Sequence, residues 1–104
     1  MKFLGNGITI DYEFFGPEGA PVVVLSHSLV SSSIMWAPQL PQLTERFRVL
    51  CYDTRGHGGT SAPEGEYSLD QLGNDALALL DGMDLPQVHW VGLSMGGMIG
   101  QNLA

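Results

Sequence analysis

The chain has 104 residues, enough for one small domain, and its 44% hydrophobic and 14% charged content suits a packed core better than a disordered segment. Eleven Asp or Glu against four Lys or Arg give a formal charge of −7 with no basic stripe, which argues against nucleic acid or an anionic membrane as partner. The single cysteine, Cys51, allows no internal disulfide, no stretch reaches the ~18 apolar residues of a membrane span, and the start, MKFLGNGITIDYEF, turns polar too soon for a signal peptide, so a cytoplasmic location is expected.

Taken in chain order, Ile8 to Gly16 alternates Ile8, Ile10, Tyr12 and Phe14 with polar partners, the pattern of a strand exposed on one face. Gly16 to Pro21 is a turn by composition. Val22 to Ser26, VVVLS, is a continuous run with the character of a parallel strand buried on both faces. Met35 to Phe47 predicts a short helix in which Pro38 and Pro41 are tolerable only near the start. Phe47 to Asp53 predicts another strand, with Cys51 as a small core residue. The Gly-, Ser- and Pro-rich stretch from Asp53 to Tyr67 reads as a loop. Ser68 then opens a helix, with Gln71 completing a capping box and Leu69, Leu72, Ala76, Leu79, Leu80 and Met83 at helical spacing. Asp84-Leu85-Pro86 ends it, Val88 to Leu93 is the last strand, and Met95 to Ala104 opens a helix. This alternation predicts an α/β chain with a largely parallel sheet and no repeat, heptad or linker.

The chemistry concentrates at the last strand-to-helix junction, where Gly92-Leu93-Ser94-Met95-Gly96 forms a Gly-x-Ser-x-Gly pentad. In such an elbow the serine backbone is strained, the glycines avoid clashes, and the hydroxyl rises at the carboxyl end of the sheet. There the helix dipole and free N–H groups favour a developing oxyanion. A bare pentad is a weak signal; a strand before it and a helix after it give it meaning, so Ser94 is the candidate nucleophile. A second oxyanion donor should come from the loop after the buried strand, His27-Ser28-Leu29, so the backbone N–H groups of Leu29 and Met95 are the expected pair. His27 and Ser28 are candidate pocket residues, and His27 reads as structural or pocket-shaping, not as the base.

Other titratable groups read as structural. His89, inside a strand, is expected to be a satisfied core histidine. Asp53 and Arg55 are expected to tie their loop together by charge-assisted hydrogen bonds. No His, Cys and Asp cluster has metal-ligand spacing, and RGHGG and SMGGMIG lack the lysine of a phosphate loop, so no metal or cofactor is expected.

These stretches resemble the first half of an α/β-hydrolase, and in particular the 3-oxoadipate enol-lactonases. The residues that carry the likeness are LSHSL with MWAPQLPQL, ERFRVLCYDTRGHGGTSAP, YSLDQLGNDALALLD and GLSMGGMIGQNLA. Where the enol-lactonases usually read Asn-Ser-Leu-Gly, this chain has His27-Ser28-Leu29-Val30, nearer the His-Gly turn of general hydrolases. The resemblance implies that residues 1–104 form the N-terminal part of one α/β-hydrolase domain, with the cap, the later strands, the catalytic acid and the histidine base all supplied by the remaining half. It also makes the segment Asp53 to Gly58 a structural loop and places the last strand inside the complete sheet, so that the chain alone would be inactive. The implied reaction is hydrolysis of a small enol-lactone through an acyl-enzyme on Ser94. Other readings are a short-chain carboxylesterase, a cofactor-free haloperoxidase-like hydrolase, or a non-catalytic fragment or ligand-binding protein that keeps the fold.

Overall fold

A computed structural model describes all 104 residues. The elements in order are β1 (Lys2–Gly5), β2 (Ile8–Phe15), β3 (Val22–Ser26), a 3₁₀ helix (Ser33–Gln39), α1 (Leu40–Leu43), β4 (Arg48–Tyr52), α2 (Leu69–Gly82), β5 (His89–Gly92) and α3 (Met95–Leu103). They build one five-stranded sheet in the order β1-β2-β4-β3-β5. β3 runs parallel to both β4 and β5, and β2 is antiparallel to β1 and β4, so β2 is the one reversed strand.

The two-residue period of the central strands divides the core between the two faces of the sheet. Val24, Leu50 and Tyr52 point to one side, where they pack with Ile8, Ile10 and Tyr12 against Leu72, Ala76 and Leu79 of α2 and Ile99 of α3. Val23, Leu25, Val49 and Cys51 point to the other, where Trp36 of the 3₁₀ helix covers them. Coverage of both faces explains why Val22 to Leu25 and Val49 to Cys51 are apolar without a break. Cys51 belongs to this core, and burial pushes its thiol up to about 11, which leaves it inert.

Departures from the expected elements have local causes. The segment expected as one short helix splits at its prolines: Pro38 lies within the 3₁₀ turn and Pro41 sits in the first turn of α1. A proline cannot donate the i→i−4 bond, so neither can continue an α-helix from upstream. β1, absent from the sequence reading, is only four residues long and pairs with β2 across the Asn6-Gly7 turn, whose residues both have positive φ. Leu69 is exposed, not on the buried face of α2; Asp75 takes a place there instead. β5 lies at the edge, bonded to β3 alone, and its residues His89 and Val91 are exposed. Within these 104 residues His89 is exposed, with its ring against Phe47, where its place in a strand had suggested a core histidine.

Candidate active site

β3 and β5 are neighbours in register, with Ser26 opposite Gly92, so the turns that follow them emerge side by side at the carboxyl end of the sheet. The Leu93 N–H donates to the Ser26 carbonyl oxygen at 3.2 Å and holds the two turns together. Two glycines permit the approach. A Cβ on Gly92 would strike the backbone of Gly96 and Gly97, and one on Gly96 would strike the Ser26 carbonyl. The Trp90 indole N–H donates to the Gly96 carbonyl oxygen at 2.9 Å and latches the first turn of α3 onto β5.

Ser94 occupies the N-cap of α3 at φ 54 and ψ −111, a backbone state that costs on the order of 1–3 kcal/mol for a residue with a side chain. Its carbonyl accepts the first helical bond, from Met98 at 3.1 Å, but its hydroxyl makes no capping bond and the residue is exposed. Met95, at the first helical position, has no intrahelical acceptor for its N–H. The Leu29 N–H likewise has no acceptor within the chain, and Leu29 is exposed. A free hydroxyl, two uncommitted N–H groups and the positive end of a helix thus share one rim.

Beneath the rim the polar groups are committed to the backbone. His27 is fully buried: its Nδ1 lies 2.8 Å from the Ser28 carbonyl oxygen, and its Nε2 accepts the Thr54 N–H at 2.9 Å. Burial holds its pKa below the ordinary 6.5, partly offset by the Ser28 carbonyl, so it remains a neutral acceptor. It presents no surface to a substrate, which corrects its place among the pocket candidates. Ser28 is half-buried, with its hydroxyl directed at the Met35 sulfur at 3.8 Å. The Ser26 and Tyr52 hydroxyls share a bond of 3.0 Å, and burial pushes the Tyr52 phenol up to about 12.

The Asp53 to Thr60 loop braces the same region, with Asp53 tying the loop together as expected and Arg55 tying it to α2. Arg55 does not pair with Asp53; it forms a two-pronged bond to Asp75 of α2, with Nε and Nη2 each 2.8 Å from a carboxylate oxygen. That contact raises the Arg55 pKa further, and the Asn6 amide donates to the same carboxylate at 2.7 Å. The Asp53 carboxylate instead receives the backbone N–H groups of Ser33 and Gly59 at 2.7 and 3.0 Å. The polar Asp75 amid the apolar stripe Leu72, Ala76, Leu79 was the sequence signal for Arg55's partner. Trp90 carried no signal that separated a latch from a core aromatic.

No histidine of the chain is free to serve Ser94. His27 and His57 each have both ring nitrogens engaged, His57 through Val30 N–H and the Arg55 carbonyl. His89 starts β5, about five residues or roughly 16 Å of extended chain from the elbow. No group of three or more His, Cys, Asp or Glu converges to hold a metal. A hollow of about 720 Å³ opens at the amino end of β5 between Pro86, Trp90, Leu80 and Leu103, away from Ser94. Apart from His89 its lining holds no titratable side chain, and no serine, threonine or cysteine, so the exposed rim is the better candidate site.

Known proteins bear on this geometry. The family model of the alpha/beta hydrolase fold matches residues 21–104. The chain is 44% identical over 97 residues to 3-oxoadipate enol-lactonase 2 of Acinetobacter baylyi, covering 93% of this chain and 36% of that protein. It is 39% identical over 101 residues to a putative carbamate hydrolase of Caulobacter segnis, covering 95% and 38%. The crystal structure of the enol-lactonase from Burkholderia xenovorans LB400 superposes with a TM-score of 0.97 at 44% identity, over 100% of this chain and 41% of that one. The chain therefore spans little more than a third of the length of these relatives.

Proposed function

The chain belongs to the α/β-hydrolase family, and we propose that it carries the nucleophile and oxyanion turns of a serine hydrolase that opens a small lactone. The observation behind this reading is Ser94 itself, exposed and strained at a helix N-cap with its hydroxyl unused. In the proposed reaction Ser94 Oγ attacks the lactone carbonyl, and the N–H groups of Leu29 and Met95 receive the negative charge that develops on its oxygen. The ring C–O bond breaks, the enol oxygen departs and becomes the ketone of an oxo-acid, and water then releases the acyl group from Ser94. The proton of Ser94 passes to a histidine outside these 104 residues, since all three within them are engaged or distant. Residues 1–104 are accordingly the N-terminal part of one hydrolase domain, and a companion segment pairs with the free edge of β5.

Identity to an enol-lactonase of Acinetobacter baylyi supports 3-oxoadipate enol-lactone as substrate. A second reading, a short neutral ester, is favoured by the distribution of charge. Arg55 is neutralised by Asp75, Lys2 is bonded to the Gly59 carbonyl and lies 3.7 Å from Asp11, and Arg46 and Arg48 lie at the amino end of β4. An anionic substrate therefore needs a cation from the companion segment. Steady-state kinetics of the complete hydrolase on the enol-lactone beside short acyl esters decide between them. Higher kcat/KM on the enol-lactone supports the first reading, and clear preference for the esters replaces it with the second.

A further inference from the structure

Val30 is, beside Ser94, the second backbone outlier of the rim. It has φ 57, and a left-handed residue with a side chain costs about 1–2 kcal/mol, with β-branched residues the least tolerant. Its side chain is 88% exposed, so packing does not hold it there. What engages it is its backbone N–H, which donates to His57 Nε2 at 3.1 Å. The Nδ1 of that ring is 3.0 Å from the Arg55 carbonyl oxygen, which can only accept, so the two partners together require a neutral ring with its proton on Nδ1. A reciprocal bond runs the other way, from the Thr54 N–H to His27 Nε2. Each turn thus lends a histidine to a backbone N–H of the other, and the two rings lie 5.1 Å apart.

We infer that His57 is a positioning residue for the oxyanion turn: its bond to Val30 clamps a turn that valine does not favour, and so fixes the neighbouring Leu29 N–H. The inference rests on the role given to Leu29 in the proposed function. It has a conditional consequence. Glycine adopts a φ of 57° without penalty, so a turn with glycine at position 30 has little need of the clamp. The effect of His57 is therefore large beside valine and small beside glycine.

The test is a double-mutant cycle in the complete hydrolase, with kcat and KM measured separately. His57→Phe is expected to lower kcat about 10-fold or more, up to the roughly 10²–10³-fold that outright removal of an oxyanion donor costs, with KM nearly unchanged. His57→Gln, whose side-chain oxygen can accept the Val30 N–H, is expected to recover most of that loss. In a Val30→Gly background His57→Phe is expected to cost less than about threefold, the difference being the coupling between the two positions. Ring ¹⁵N shifts of His57 in the unsubstituted protein should report an unprotonated Nε2 whether or not the Phe variant folds. An equal kcat loss in both backgrounds, a change in KM alone, or a proton on Nε2 overturns the inference. Failure of the wider reading looks different, because then Ser94→Ala retains turnover whatever stands at position 57.

Discussion

Two α-helices of this chain begin at a serine, and the two serines behave in opposite ways. Ser68, at the N-cap of α2, is extended at φ −109 and ψ 160, and its hydroxyl accepts the Gln71 N–H at 3.1 Å. Ser94, at the N-cap of α3, is left-handed at φ 54, and its hydroxyl accepts nothing from its helix. The first hydroxyl stabilises a helix; the second is withheld from its helix at the expense of backbone strain. An N-cap serine normally gains about 1 kcal/mol from its capping bond. A chain selected only for stability has no reason to forgo that bond and accept the strain as well. The contrast supports the proposed role of Ser94 more sharply than the pentad alone.

The comparison yields a set of expected outcomes. The largest concerns turnover: Ser94→Ala in the complete hydrolase should lower kcat by at least about 10⁴-fold. Ser94→Gly should abolish turnover equally yet unfold at higher urea, because glycine relieves the strain. Equal stability of the glycine and alanine variants would show that the backbone at position 94 stores nothing. Next in size is the brace behind the rim. Arg55→Ala leaves the buried Asp75 carboxylate without its partner, and a loss of about 3–5 kcal/mol is expected in urea unfolding; a loss below 1 kcal/mol would mean the pair is dispensable. Ser68→Ala should cost about 1 kcal/mol of stability and leave kcat alone, and a fall in kcat would erase the distinction between the two caps.

The smallest effect is one of pH. His27 has its folded pKa lowered, chiefly by burial, with His57 acting in the same direction and the Ser28 carbonyl and Asp53 opposing it. The unfolded chain therefore binds the proton more readily. The contribution of His27 to stability is present above its ordinary value of 6.5 and is lost as pH falls below 6.5 toward the folded value. Urea unfolding from pH 7.5 to 5 should show this decline, and His27→Asn should flatten it. A slope that His27→Asn leaves unchanged would assign the decline to another group.

The order of elements was legible because the signals were local. VVVLS matched β3 residue for residue, the Ser68 cap marked the start of α2, and the pentad stood between a strand and a helix. What was missed depends on tertiary partners. The Arg55–Asp75 pair joins residues 20 apart, and the reciprocal histidine bonds each span 27, so no local pattern distinguishes them. His89 read as a core residue because it lies inside a strand; within these 104 residues β5 is bonded to β3 alone and His89 is exposed. Val30 could be recognised only as a departure from the glycine of the enol-lactonase turn; its positive φ came from the structure.

The central claim is that the strained, uncapped Ser94 is the nucleophile of the complete hydrolase. Reaction of that protein with a serine-directed fluorophosphonate, followed by peptide mapping, tests it most directly. The account predicts a single adduct on the peptide containing Gly92 to Gly96, absent from Ser94→Ala and present at full extent in Ser68→Ala. An adduct on another residue, or equal labelling of the Ser94→Ala protein, would contradict it.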